Sequence, residues 1–146
     1  MAVVTQEPFL APSLGAAVFV QVMTPETSAA RAWNTAGGQL AGMVGGFAGV
    51  FGAGATTLPA FFGDHRLVVQ RVLALVIATL LTVIVQQFAR CVSPAGGATA
   101  IVVAFGEEGA NWLGVEHLLG GTLLVTVVGE GLEAEQSNQA TLRRSP

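Results

Sequence analysis

Five apolar segments, separated by short polar or turn-forming stretches, make up most of the chain. Their limits are about 9–23, 35–54, 67–88, 94–105 and 113–132. The third is the clearest membrane span, because its 22 residues at ~1.5 Å each cross the ~30 Å hydrocarbon core of a bilayer. The first and fourth are too short for straight spanning helices. The pattern predicts an all-α fold, a polytopic transmembrane helical bundle with two short or broken helices.

The two ends of the chain differ from this apolar region, which covers 9–132 and forms the transmembrane domain. The N-terminal segment 1–8 has no positive charge before the first apolar stretch, so it does not resemble a secretory signal peptide. The C-terminal segment 133–146 is polar and predicts a disordered tail. Thr24 and Pro25, which follow the first apolar segment, fit either the start of a helix or a plain interfacial loop.

Composition strengthens the membrane interpretation. The chain is 52% hydrophobic and 10% charged, whereas about a quarter of the residues in a soluble domain are charged. This excludes an ordinary soluble globular protein, and the high hydrophobicity excludes general disorder. A formal net charge of −3 and the lack of any basic stripe exclude a nucleic-acid partner. The lipid bilayer is the partner we expect.

The arginines indicate an orientation. If all five segments cross, Arg31, Arg90 and the Arg143–Arg144 pair lie on one side, which the positive-inside rule assigns to the cytoplasm of a bacterial inner or plasma membrane. The N-terminus of the chain is then outside. Arg71, one turn inside the third segment, is expected to snorkel to the lipid headgroups.

The nineteen glycines are the second notable feature. Gly38, Gly42 and Gly46 recur every four residues and form a smooth ridge on which another helix backbone can lie closely. We expect this glycine ridge to pack within the chain. The alternative is an interface with a second copy or a partner helix, in which case the chain is a non-transporting membrane module and Gly42→Leu abolishes its assembly.

The two short segments resemble each other, which indicates an internal repeat. Residues 12–20 and 93–101 each combine Pro, Ser and Gly with a short apolar run, and each precedes a longer glycine-containing span. A helix before Phe9 would complete two inverted units of three, a plan that transporters use to place helix N-termini at the membrane midplane. Two such ends attract a small anion. The alternative is that they only start two short interfacial helices. The residues expected at the anion site are Ser13, Gly15, Gln39, Ser93, Pro94, Gly97 and Thr99. Gln39 could supply an amide donor there, and the alternative is that it forms a hydrogen bond between helices.

The same stretches resemble the HPP family of small integral membrane proteins. The matching stretches are 11–16, 25–26, 28–35, 38–40, 93–100 and 127–131. Ser93 and Ala95 stand where the family has its name-giving His and second Pro, and Gln39 stands where a His is frequent. The family's first membrane helix has no counterpart here, in agreement with the incomplete repeat. The resemblance implies a polytopic helical membrane protein, and some plastid and cyanobacterial relatives are described as nitrite transporters.

The remaining reactive residues do not indicate an enzyme. Cys91 is the one cysteine, so the chain has no disulfide framework or cysteine metal cluster, and His65 and His117 lack the spacing of metal ligands. We expect no metal and no cofactor. Arg90 could lower the pKa of the adjacent Cys91 thiol, but no histidine lies nearby in sequence to act as a base. The leading hypothesis is a transporter of a small inorganic anion such as nitrite.

Overall fold

The computed structural model describes residues 12–61, 68–107 and 112–144 of the chain. Within these residues every regular element is helical, which confirms the all-α prediction. In chain order the elements are α1 (Pro12–Met23), a short 3-10 helix (Ser28–Ala30), α2 (Ala32–Gly52), α3 (Val69–Ala89), α4 (Pro94–Phe105) and α5 (Trp112–Arg144).

The bounds of α4 are those that the sequence predicts, because residues with fixed backbone preferences set both ends. Pro94 lies in the first turn, where its missing N–H costs nothing. Gly106 ends the helix with φ 81°, a left-handed conformation that glycine adopts without penalty. Thr24 and Pro25 lie in a turn ahead of the 3-10 helix, so the loop interpretation of this pair is correct. The N-terminal segment 1–8 lies outside the described residues.

The last helix is longer than its apolar segment. α5 continues to Arg144, so the prediction of a disordered tail is wrong for residues 133–144. This stretch contains Glu, Ala, Gln, Leu and Arg, which are good helix formers. A helix already nucleated by its apolar half extends into such residues at little cost.

Helix α3 buries small and polar side chains and exposes large apolar ones, which is the reverse of the arrangement in a helix of a soluble protein. Its inward face consists of small or polar residues one turn apart: Ala74, Ala78, Thr82 and Gln86 are buried. The large apolar side chains are exposed instead, namely Val69, Val72, Leu73, Val76, Leu80, Val83, Ile84 and Phe88. In water this would be a far larger apolar patch than soluble monomers expose. In lipid it costs nothing, because the lipid tails are equally apolar.

Helix α3 is also the described helix with the length and apolar composition needed to cross a membrane, and α1 and α4 are shorter apolar helices. The central element of the bundle is α2, which packs against α3, α4 and α5 and is joined to α1 by side-chain hydrogen bonds. α3 packs antiparallel to α2, with Thr82 beside Gly45 and Ala74 beside Gly49. Small residues at these contacts let the two backbones approach closely.

Candidate functional site at the N-terminal ends of α1 and α4

Helix α4 runs along α2 in the same direction. Ser93, immediately before α4, lies against Gly38, and Val103, near its other end, lies against Gly46. The first turn of α4 therefore lies beside the second turn of α2.

Helix α1 runs along α2 in the opposite direction. The Gln39 amide nitrogen donates to the Ser13 carbonyl at 3.4 Å, and the Gln21 amide nitrogen donates to the Thr35 hydroxyl at 3.3 Å. The start of α1 thus lies beside Gln39, close to the start of α4, and the two short helices pack on each other. Each helix N-terminus carries about half a positive charge and unpaired N–H groups, so two such ends are brought together here.

Gln39 links the two short helices through its side-chain amide. The Thr99 hydroxyl donates to the Gln39 amide oxygen, while the amide nitrogen donates to Ser13. Thr99 also lies 3.2 Å from the Ala95 carbonyl, so one hydroxyl proton faces two acceptors. Gln39 is 1% exposed and both Ser13 and Thr99 are 0% exposed. A polar cluster from three helices is therefore enclosed within the bundle.

The Ser13 hydroxyl is the exception within this cluster. It is buried, and among the described residues it has no hydrogen-bond partner. Leaving a buried hydroxyl unpaired costs about 1–3 kcal/mol, and unpaired buried groups in native proteins call for an explanation such as a bound water or ion. A hydroxyl with an available proton thus lies where two helix N-termini meet.

Ser93 and Pro94 occupy the start of α4 in a different way. Ser93 is 5% exposed, and its backbone N–H and C=O both pair with the side-chain amide of Gln86, at 3.1 and 3.0 Å. Pro94 is exposed. Gly15 is exposed and Gly97 is half-buried, and a Cβ added at either would meet nothing within 4 Å. Of the seven predicted site residues, Ser13, Gln39 and Thr99 are thus joined directly.

The inward small residues and outward apolar residues are the arrangement that a bilayer requires, and the family comparison agrees. A family model described as "HPP, transmembrane region" matches residues 1–135. The chain belongs to the HPP family. It is therefore an integral membrane protein, as the resemblance in its sequence predicts. No curated protein and no solved structure matches the chain.

In this HPP family member the glycine ridge lies against the chain's own helix α4. A Cβ on Gly42 would lie 2.8 Å from the carbonyl carbon of Gly96, and one on Gly46 would lie 2.8 Å from Cβ of Val103. A Cβ on Gly38 would overlap the side chain of Ser93. The ridge is thus covered within the chain. Gly42→Leu would disturb the fold itself and is unsuitable as a test of assembly.

Arg71 is buried, which corrects the prediction that it snorkels to the headgroups. It is 3% exposed, and its guanidinium donates to the carbonyl of Ala104 at 3.1 Å and to those of Leu58 and Pro59. These acceptors are the last turn of α4 and the α2–α3 connection. The reason is that helix C-termini present unpaired carbonyls and negative partial charge, which offer a buried cation better partners than a distant headgroup.

The chain also contains Cys91, Glu116 and His117, whose side chains can ionise. Cys91 is 1% exposed, and this burial raises the pKa of its thiol, which is the opposite of the lowering that an adjacent arginine could produce. Glu116 is exposed and His117 half-buried on α5. Among the described residues no group of three His, Cys, Asp or Glu could hold a metal ion.

The buried polar residues that were not predicted from the sequence include Gln21, Arg71 and Gln86. Two of these three lie on the buried stripe of α3 together with Ala74, Ala78 and Thr82. This stripe of small and polar residues at helical spacing is visible in the sequence. It marks the inward face once the membrane setting is assumed, because large apolar residues then face lipid.

Proposed function

We propose that this HPP family member is a multi-pass transporter of a small inorganic anion such as nitrite, in a bacterial inner or plasma membrane. The anion binds where α1 and α4 begin, beside Gln39. The observation that carries the proposal is the buried cluster of Ser13, Gln39 and Thr99, in which the Ser13 hydroxyl has no partner among the described residues.

The chemistry of the cluster suits a monovalent anion. Backbone N–H groups at two helix N-termini attract negative charge, and the Ser13 hydroxyl can donate a further hydrogen bond. Ser13, Gln39 and Thr99 are neutral, so a bound anion is held by dipoles and hydrogen bonds rather than by an ion pair. Weak, neutral binding favours release as well as capture, which a transport cycle needs.

The test is nitrite uptake by proteoliposomes that contain the full chain, compared with empty vesicles. Thr99→Val keeps the shape of the side chain but removes the donor to Gln39, and we expect it to raise the KM for nitrite roughly tenfold, because a lost buried hydrogen bond costs about 1–3 kcal/mol. Thr79→Val is the matched control, since Thr79 is exposed and its hydroxyl donates to the Leu75 carbonyl of its own helix.

Two results would count against the proposal. Correctly inserted protein without flux above that of empty vesicles would refute transport of nitrite. Flux that responds equally to Thr99→Val and Thr79→Val would refute the location of the site. Counterflow measurements with nitrite and nitrate then distinguish a carrier from a passive leak.

A further inference from the structure

Gln86 makes an unusual contact for a residue at the end of a membrane helix. Its side chain is 7% exposed. The amide oxygen accepts from the Ser93 N–H at 3.1 Å, and the amide nitrogen donates to the Ser93 carbonyl at 3.0 Å. Both backbone polar groups of one residue are thus held by one side chain, which fixes the position and the direction of the chain as it enters α4.

Two further contacts bring Gln86 onto the first turn of α4. A Cβ added at Gly96 would lie 2.6 Å from the Gln86 amide nitrogen, so this side chain covers Gly96. The Ser93 carbonyl also accepts from the Gly96 N–H at 3.2 Å. The Ser93 carbonyl therefore accepts two hydrogen bonds, one from the Gln86 amide nitrogen and one from the Gly96 N–H in the first turn of α4.

The backbone of Gln86 takes part in the same joint. Its carbonyl accepts from the Cys91 N–H at 3.1 Å, across the turn in which Arg90 has φ 51°. The chain therefore reverses direction within a few residues and returns to the Gln86 side chain. α3 and the start of α4 are held as one unit by this residue.

We infer that Gln86 is a positioning residue that holds the first turn of α4 in the geometry that binds the anion. The inference rests on the proposed function, since it concerns the same site. Hydrogen-bond donors that are already ordered in the free protein increase its affinity for a ligand, because no conformational entropy is lost in ordering them on binding. Gln86 contacts Ser93 and Gly96 and acts on the anion only through the N–H groups of α4.

Two substitutions at Gln86 separate the effect of positioning the first turn of α4 from the effect of a charge beside it. Gln86→Met has a similar length but neither pairs with Ser93 nor adds charge, so it frees the first turn. Gln86→Glu keeps the acceptor for the Ser93 N–H, loses the donor to the Ser93 carbonyl and places a carboxylate beside the N-terminus of α4. A negative charge there favours the helix, so this variant retains its fold, while the carboxylate competes with the anion for the same N–H groups.

The experiment measures two quantities on the full chain in proteoliposomes: the KM and maximal rate of nitrite uptake, and backbone hydrogen exchange across residues 94–99. Gln87→Met and Gln87→Glu are the matched controls, because Gln87 is the adjacent, exposed glutamine of the same helix. We expect Gln86→Met to speed exchange at Gly96 at least tenfold and to raise KM severalfold. Gln86→Glu should raise KM at least tenfold without faster exchange. Both controls should match wild type.

Each outcome decides the question. Unchanged exchange at Gly96 in Gln86→Met overturns the positioning role, whatever the flux. If both Gln86 variants and both controls transport nitrite with the wild-type rate and KM, the inferred effect of Gln86 on anion binding is wrong. The exchange data then decide separately whether Gln86 positions α4. Absence of flux in the wild-type protein overturns the proposed function and this link together, while the exchange data still judge whether Gln86 holds α4.

Discussion

Two adjacent glycines of α4 offer a sharp test of how the helices pack. Gly96 faces α2, where an added Cβ would overlap the carbonyl of Gly38 and lie 2.6 Å from the Gln86 amide nitrogen. Gly97 is the next residue, and a Cβ there meets nothing within 4 Å. Gly96→Ala and Gly97→Ala therefore add the same methyl group to the same helix, in one case against a backbone and in the other into open space.

The expected difference follows from these distances. Non-bonded carbon atoms prefer about 3.5–4.0 Å, so Gly96→Ala forces α4 away from α2 by roughly 1–2 Å. Overpacking of this kind costs about 1–3 kcal/mol, and loss of the pairing between Gln86 and Ser93 adds roughly 1 kcal/mol. Both variants gain about 1 kcal/mol of helix propensity. Gly96→Ala should therefore have a free energy of unfolding about 2–4 kcal/mol below that of Gly97→Ala.

The assay is reversible unfolding of the purified full chain in mixed micelles, followed by far-UV circular dichroism. Comparing the two variants with each other removes the propensity term that they share. If their free energies of unfolding agree within about 0.5 kcal/mol, the size of an ordinary surface effect, then α2 and α4 do not lie in backbone contact at Gly96. The packing described for the glycine ridge would then be wrong.

Three further predictions use the same unfolding measurement. Arg71→Met should lower the free energy of unfolding by about 3 kcal/mol, because three backbone carbonyls lose the charged donor that a buried side chain supplies. Arg31→Met, at an exposed arginine, should change it little, and equal effects of the two substitutions would contradict the buried role of Arg71. Arg90→Gly should stabilise the protein by about 1 kcal/mol, since φ is 51° at this residue and glycine adopts positive φ freely; a loss of stability would show that the Arg90 side chain is needed. Burial raises the pKa of the Cys91 thiol, so the unfolded chain loses its thiol proton at a lower pH than the folded protein does. The free energy of unfolding should therefore fall as the pH rises above about 8.5, and it should fall less in Cys91→Ala. Identical pH profiles of the two proteins would exclude the thiol as the cause of the decline.

The sequence predicts those features of the fold that depend on local chemistry. The bounds of α4 follow from Pro94 and Gly106, and the contact face of α2 follows from glycines one turn apart. The outcome at Arg71 could not be predicted in this way. Whether a long cation reaches a headgroup or a helix C-terminus depends on which chain segment lies above it, and here Leu58 and Ala104 lie there through long-range packing.

In the candidate site, too, local sequence patterns predict some residues, while long-range packing determines which of them meet. Ser13 and Thr99 belong to the two short segments that resemble each other, so the sequence indicates that they share a role. That Gln39 joins them depends on the antiparallel course of α1 and the parallel course of α4 along one helix, which no local pattern determines. Gln86 was not predicted for a different reason: its partner is the backbone of Ser93, and backbone groups leave no trace in a sequence.

The contacts between helices agree with an internal repeat. α1 packs on α4, and the contact of α4 with α2 is matched by a contact of α1 with α5. Aligning Pro12 with Pro94 places Ser13 opposite Ala95, Thr99 opposite Ala17, and Gln39 opposite Gly121. In this alignment each polar residue of the cluster corresponds to a small residue in the other unit. In a pair of inverted units, a small residue at the position that corresponds to a long polar one lets the helices pack closely.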